Sequence, residues 1–456
     1  MSDTIAAIAT GGGISAIGII RVSGADAIAA ADLVFRAASG IRLADAENRR
    51  MYYGELSGVD GGLIDLSLCM ISRGPDSYTG EDTVEFHCHG SPVVLSEALR
   101  SLFSQGVRQA EAGEFTKRAF LNGRMDLTQA EAVIDLIESE TPAAASNAAG
   151  QLRGAVGVRL EAVYSALLDV MAHFHAVIDY PDEDIDEFQM QSYLSALMGA
   201  REGLERLLST HERGKVMRDG LPTAIIGRPN TGKSSLLNAL LGYERAIVTD
   251  LPGTTRDTIE EKILFGGLLL RLIDTAGLRK ADNTVEKLGV ERTLSALRGA
   301  GLVILVLDGS EPLRNEDFDA LHSIPPGVPK LAVVNKSDLP SALGPNELAG
   351  LDLKYIRISA LTGMGLDVLD EEIKKMFPEL GTPPSGEIIT NARQSEAISR
   401  AMESVSQAII AINASVTPDA VLTDIEAALI AVGEVTGKTM REDIISRIFE
   451  RFCIGK

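Results

Sequence analysis

The stretch Gly227-Arg228-Pro229-Asn230-Thr231-Gly232-Lys233-Ser234 constrains this chain more than any other. It follows the apolar run Ala224-Ile225-Ile226 and precedes the helical run Ser235-Leu236-Leu237-Asn238-Ala239-Leu240. Strand, glycine-rich turn and helix N-terminus, in that order, are what a phosphate-binding loop requires. Glycines let backbone N–H groups converge on phosphate oxygens. Lys233 would neutralise the outer two phosphates, and the Ser234 hydroxyl would ligate Mg²⁺. Such a loop sits in a parallel α/β sheet. Residues 219–380 alternate strand, glycine loop and helix as that sheet demands.

Further elements follow in order. Asp274-Thr275-Ala276-Gly277 ends the run Leu268 to Ile273, where Asp274 can reach Mg²⁺ through water and the Gly277 N–H the γ-phosphate. Asn335-Lys336-Ser337-Asp338 ends Leu331 to Val334, and Ser359-Ala360-Leu361 ends Tyr355 to Ile358. A carboxylate at Asp338 would accept from guanine N1–H and the exocyclic amine. Adenine lacks that donor pair and would leave the carboxylate unpaired. Together these elements resemble the GTPase branch of the phosphate-loop proteins, with a Ras-like fold. The position after Gly277, where Ras-like enzymes place a water-orienting glutamine, is Leu278, which cannot hydrogen-bond water.

The segment Thr249-Asp250-Leu251-Pro252-Gly253-Thr254-Thr255-Arg256, read with Asn230, resembles the potassium-activated GTPases. Thr255 is placed to complete Mg²⁺ coordination with Ser234. By the resemblance, Asn230, Thr249, Leu251 and Thr254 would hold a K⁺ ion where other members place an arginine finger. Asparagine also suits a tight turn on its own account, so Asn230 as a simple loop closer stays open.

Around this α/β segment the texture differs. Residues 1–120 alternate short apolar runs (Ile14 to Val22, Leu63 to Ile71, Thr83 to Phe86) with glycine turns, the pattern of an α+β domain. Residues 121–218 and 381–456 are rich in Ala, Leu and Glu at helical spacing, as in Leu160, Val163, Tyr164, Leu167, Leu168 and Met171. The α/β domain is thus inserted into an all-α one. This order resembles the MnmE (TrmE) family of bacterial tRNA-modifying GTPases over essentially the whole chain. Supporting motifs are Gly18-Ile-Ile-Arg21-Val-Ser-Gly24, Tyr78-Thr-Gly-Glu81-Asp82, Gly113-Glu-Phe-Thr-Lys-Arg-Ala-Phe-Leu121, Asp126-Leu-Thr-Gln-Ala-Glu131 and the terminal Phe452-Cys453-Ile454-Gly455-Lys456.

The resemblance implies a homodimer formed through the N-terminal domain, which would bind a 5-formyltetrahydrofolate-type one-carbon donor. It implies a heterotetramer with the FAD-dependent partner MnmG, and modification of C5 of the wobble uridine of certain tRNAs. GTP hydrolysis would be stimulated when two GTPase domains meet with K⁺ bound. Folate contacts would fall on Arg21, Glu85, Arg124 and Lys456, and Glu286 would act on the attacking water. Arg124 stands where related sequences carry lysine, so its geometry differs.

Charge agrees with a shared task. The net charge is −21, and no segment is strongly basic: residues 1–120 and 219–380 each carry net −5, and the helical remainder −11. Nucleic-acid grip comes largely from Lys and Arg displacing counterions, so a partner would hold most of the tRNA. A ribosome-assembly GTPase would share the nucleotide motifs, but usually appends a basic RNA-binding module. No apolar run approaches the roughly 18 residues of a membrane span, and the three scattered cysteines fit a reducing cytoplasm. Two motifs suggest other chemistry. In His87-Cys88-His89, strand alternation would put Cys88 on the face opposite both histidines, against a metal cluster. The acidic run Asp182 to Glu187 reads as a solvated loop.

Overall fold

Alternation builds the first sheet. In Met51–Ser57, Tyr52, Gly54 and Leu56 point inward and Tyr53 and Glu55 outward, the period of a strand with one solvated face. The computed structural model describes residues 3–179, 187–243, 261–273, 297, 299–380, 386–450 and 452–455. The chain forms two units: Met1–Ile134 with Gln151–Leu204 and Ala397–Lys456, and Asp135–Gly150 with Glu205–Glu396.

The first unit holds β1 (Ile5–Ile8), β2 (Ser15–Ser23), β3 (Phe35–Ala37), β4 (Met51–Ser57), β5 (Leu63–Ser72), β6 (Thr83–Gly90) and β7 (Arg108–Gln109). They lie in the order β3-β4-β5-β6-β2-β1-β7, antiparallel except for the β1–β7 pair. One face carries Ile20, Val22, Cys69, Ile71, Val84 and Phe86 into a buried core with the helices Ala27–Val34 and Pro92–Ser104. The other face carries Arg21, Glu85, His87 and His89. Ile14 is exposed and precedes the strand that the sequence pattern began there.

The helical part of this unit obeys 3.6-residue periodicity. Along Ala155–Asp179, Leu160, Val163, Leu167, Val170 and Phe174 are buried, whereas Leu168 is exposed. This helix packs on Pro418–Thr436. The last helix, Glu442–Phe449, ends in an aromatic clasp, with the Phe449 and Phe452 rings 5.0 Å apart. Gly113, in the left-handed region, leaves room for it: a Cβ there would lie 2.6 Å from the Phe449 carbonyl oxygen. The tail then bridges Ala112 through Ile454, so it ends as a short extended segment where sequence texture suggested helix.

The second unit is a six-stranded sheet, β13-β12-β11-β8-β10-β9, from β8 (Leu221–Ile226), β9 (Glu261–Phe265), β10 (Leu268–Leu272), β11 (Leu302–Asp308), β12 (Lys330–Asn335) and β13 (Tyr355–Arg357). All pairs are parallel except β9–β10, a hairpin turned by Gly266-Gly267 with both φ positive. β11 is buried along its whole length, as expected of a central parallel strand covered on both faces. Strand order runs outward in both directions from β8 and β11. Ligands of such sheets bind beyond the carboxyl ends of the strands at this switch point.

Candidate functional site

The loop that leaves β8 lies at that switch point. Gly227, Asn230 and Gly232 have φ of 146°, 66° and 92°, which coil the backbone tightly before the helix Lys233–Tyr243 begins. No side chain fits at either glycine. A Cβ on Gly227 would meet the Val306 carbonyl oxygen at 2.3 Å, and one on Gly232 would meet Asn335 Nδ2 at 2.2 Å. Thr231 is fully buried, with its hydroxyl donating to the Arg228 carbonyl at 3.1 Å. Asn230 and Ser235 are exposed, and Ser234 sits between them in the first helical turn.

Lys233 Nζ donates to the carbonyl oxygens of Gly227 and Arg228, at 2.8 Å each. Burial, then the Arg228 cation, hold its ammonium below the ordinary lysine range. A half-buried cation resting on carbonyls, within a coil whose glycines admit no Cβ, fits an incoming polyphosphate. The first N–H groups of any helix lack partners within the helix itself, which adds to that fit.

The second nucleotide segment is tied to the first through Asn335. Its buried amide donates to the Thr231 carbonyl at 3.0 Å and accepts from Ala360 N at 2.9 Å. Ser359, also buried, donates from its hydroxyl to Asp338 Oδ1 at 2.6 Å, so the exposed carboxylate is aimed rather than free to rotate. Leu361 is exposed next to this pair. Lys336, at φ 65°, extends to Asp308 at the end of β11, 2.6 Å away. Burial alone would raise the Asp308 pKa, but the bonds from Lys336 and Ser310 outweigh it and hold the carboxylate below its ordinary range. Asn230, Thr231, Gly232, Lys233, Ser234, Asn335, Asp338, Ser359 and Ala360 thus belong to one loop cluster. Thr249, Asp250, Leu251, Pro252, Gly253, Thr254, Thr255, Asp274, Thr275, Ala276, Gly277, Leu278 and Glu286 lie outside the described residues.

In the first unit, sheet register brings distant residues into one row. Arg21 on β2 is paired with Glu85 on β6, and Glu85 with Met70 on β5. Arg21 Nε and Glu85 Oε1 are 2.8 Å apart. The guanidinium also lies over Tyr78 and Phe115, 4.9 and 5.7 Å from the ring centroids. Glu85 Oε2 is 3.7 Å from His87 Nε2, a buried nitrogen with no hydrogen-bond partner among the described residues. That orphaned donor or acceptor, next to a carboxylate and an aromatic-lined cation, fits a small polar ring system. Arg124 is partly exposed and 3.8 Å from Asp76 Oδ1. Lys456 is outside the described residues, whereas Gly455 before it packs on the β1 backbone at Ile8.

Cys88 is buried while His87 and His89 face outward, as alternation requires. His89 Nδ1 is instead 2.7 Å from Asp65. Tyr78 and Phe115 complete the surroundings of Arg21 without having been assigned that place from sequence, whereas His87 lies on the Glu85 face that strand alternation gives it. A motif containing Tyr78 was visible, but its ring's position depends on the fold of the loop before β6.

Residues 4–124 match the family model described as the GTP-binding protein TrmE N-terminus, and residues 127–453 match the MnmE helical domain. Proteins named tRNA modification GTPase MnmE from Alkaliphilus metalliredigens and Symbiobacterium thermophilum are each 42% identical to this chain. The one from Clostridioides difficile is 40% identical. The matches span 100% of this chain and 99–100% of each relative. Among solved structures, Era in complex with MgGDPNP and a 16S ribosomal RNA segment matches at 30% identity. That match covers 40% of this chain and 65% of Era, with a TM-score of 0.26. By its family models and by end-to-end likeness to these relatives, the chain belongs to the MnmE (TrmE) family.

Proposed function

We propose that this chain is a K⁺-activated GTPase working with a flavoprotein partner, MnmG. It would use a one-carbon folate donor and GTP hydrolysis to add an aminomethyl or carboxymethylaminomethyl group to C5 of the wobble uridine of certain tRNAs. The observation that carries this reading is the link through Asn335, which joins the phosphate loop to the Asp338–Ser359 pair as one guanine-nucleotide site. The family's curated members bear the name tRNA modification GTPase, which supports the choice of substrate.

Within this reading, Asp338 selects guanine, Lys233 neutralises the outer two phosphates, and Ser234 with Thr255 holds Mg²⁺. Asn230, Thr249, Leu251 and Thr254 hold K⁺, and Glu286 orients the attacking water. The two cations, when bound, supply the positive charge that phosphoryl transfer develops a need for. Arg21, Glu85, Arg124 and Lys456 bind the folate, with Glu85 accepting from ring donors and the cations facing its acidic tail. The protein works in the cytoplasm as a homodimer built on residues 1–120, with 121–218 and 381–456 as the helical domain and 219–380 as the GTPase domain. MnmG completes a heterotetramer and supplies most of the tRNA grip. Among the described residues no helix is long and apolar enough to cross a membrane.

Mass spectrometry of tRNA wobble uridines from cells lacking the protein tests the reading. The C5 substituent should disappear and return with the wild-type gene, but not with Lys233→Ala. A C5 substituent that persists in the strain lacking the protein would refute it. Potassium is tested separately. Replacing Na⁺ by K⁺ should raise hydrolysis at least about tenfold, the scale of a missing charge stabiliser. Equal rates in both salts would remove Asn230 from the cation site.

A further inference from the structure

Arg228 is the second residue of the phosphate loop, yet its side chain turns away from the nucleotide side. It is buried, with Nε 3.3 Å from Asp317 Oδ2 and Nη2 2.9 Å from Glu311 Oε2. Asp317 is itself almost completely buried in the first turn of the helix Asn315–His322, where its Oδ2 also accepts from Arg314 N at 3.0 Å. Its Oδ1 has no hydrogen-bond partner among the described residues, where the Arg228 cation is what offsets the charge of that carboxylate. Glu311 is shared with Arg314 Nη2 at 2.8 Å.

The main chain of Arg228 does the opposite job. Its carbonyl accepts from both Lys233 Nζ and Thr231 Oγ1. One residue therefore clamps the loop to the helix behind it and presents the oxygen on which the phosphate-binding lysine rests. We propose that Arg228 and Asp317 form a positioning pair for the nucleotide's outer phosphates, a role in which Arg228 never touches the ligand. Through this pair the segment after β11 braces the phosphate loop, while Asp308 at the end of β11 itself braces Lys336 of the guanine loop. The inference rests on the guanine-nucleotide reading of the site.

Release of N-methylanthraniloyl-GDP from the full-length protein tests it, with Arg228→Gln, Asp317→Asn and the double variant. Asp317→Asn keeps an oxygen to cap the helix while removing the charge. Each single change should speed release about tenfold, since breaking a buried charge pair acts mainly on dissociation. The double variant should be no faster than the faster single, the mark of residues acting as one unit. GMP, which lacks the outer phosphates, should lose less than about threefold in affinity under Arg228→Gln. Release unchanged in Arg228→Gln, effects that multiply in the double variant, or equal losses for GDP and GMP would each overturn the pair. Arg228→Lys should recover part of the affinity if position is what matters. A variant that melts early would show the same loss with both nucleotides, which counts against the proposal. Failure of the wild-type protein to retain the fluorescent GDP would instead refute the guanine site itself.

Discussion

Lys233 and Arg21 are both candidate anion-binding cations, but they stand in opposite electrostatic conditions. Lys233 rests on two carbonyl oxygens, and no carboxylate among the described residues pairs with it. Arg21 is already neutralised by Glu85 on the adjoining strand. A polyphosphate entering the loop gains a cation whose charge is unspent. A folate bound at the sheet face, as proposed, would have to share an existing ion pair and would gain mainly by filling the surroundings of His87, Tyr78 and Phe115. The first site is shaped by backbone and tolerates little substitution. The second is shaped by side chains and should yield by degrees.

Gly232→Ala should break that contrast most sharply. The new Cβ would sit 2.2 Å from Asn335 Nδ2, an amide pinned at both ends by Thr231 and Ala360. The residue would also keep a φ of 92°. Backbone strain of about 1–3 kcal/mol and a disturbed buried hydrogen bond should together lower GDP affinity about a hundredfold. Gly242, whose Cβ position has no atom of the described residues within 4 Å, is the control: Gly242→Ala should bind GDP like wild type. Calorimetric titration with GDP decides between them, and equal affinities in both variants would show that the loop yields after all.

Glu85→Gln addresses the other region. The Arg21–Glu85 pair is about four-fifths buried on each side, so removing one charge should be felt by a ligand that uses it. Affinity for 5-formyltetrahydrofolate should fall about tenfold, the scale of one lost charge-assisted hydrogen bond. Thermal stability should move little. Unchanged folate affinity in Glu85→Gln and in Arg21→Ala would reduce the pair to a cross-strand salt bridge.

The same contrast explains what the sequence made legible. The phosphate loop occupies consecutive residues, and strand, turn and helix follow from local rules, so Gly227 to Ser235 could be read directly. The apolar run Leu302 to Leu307 has the length of a strand, and the structure extends it to Asp308 and places it inside the sheet. Arg21 and Glu85 are 64 positions apart and meet through the β2–β6 register, which no local pattern states. Only family resemblance named them. Arg228 and Asp317 are 89 apart, and nothing near Arg228 in sequence distinguishes it from a loop residue facing solvent. The docking of the tail on Gly113 was hidden for the same reason: Phe452 reads as one more helical apolar residue until its partner is known.

Acid stability sharpens the comparison at its smallest scale. The N-terminal domain satisfies its cations from within. Arg118 reaches Asp3, Glu81 and Glu114, and Arg108 reaches Asp3 and Glu114. The Asp3 carboxyl is held at about 2, chiefly by its hydrogen bond from Arg108, against the opposing effect of burial and with help from both arginine charges. Burial would raise Glu114, but the bonds from Arg108, Glu111 N and Arg118 prevail and lower it. A carboxyl whose pKa is depressed on folding stabilises above its unfolded value, near 3.9 for aspartate, and that contribution is lost as pH falls toward the folded value. Asp3→Asn should therefore cost stability at pH 6, and progressively less as pH falls through about 2. Because the Asp3 side chain is more than half exposed, screening limits the difference to about 1 kcal/mol or less. Urea midpoints of wild type and variant at the two pH values measure it. A gap that persists at low pH would mean Asp3 acts by its shape, leaving Arg108 and Arg118 to be satisfied by Glu81 and Glu114 alone.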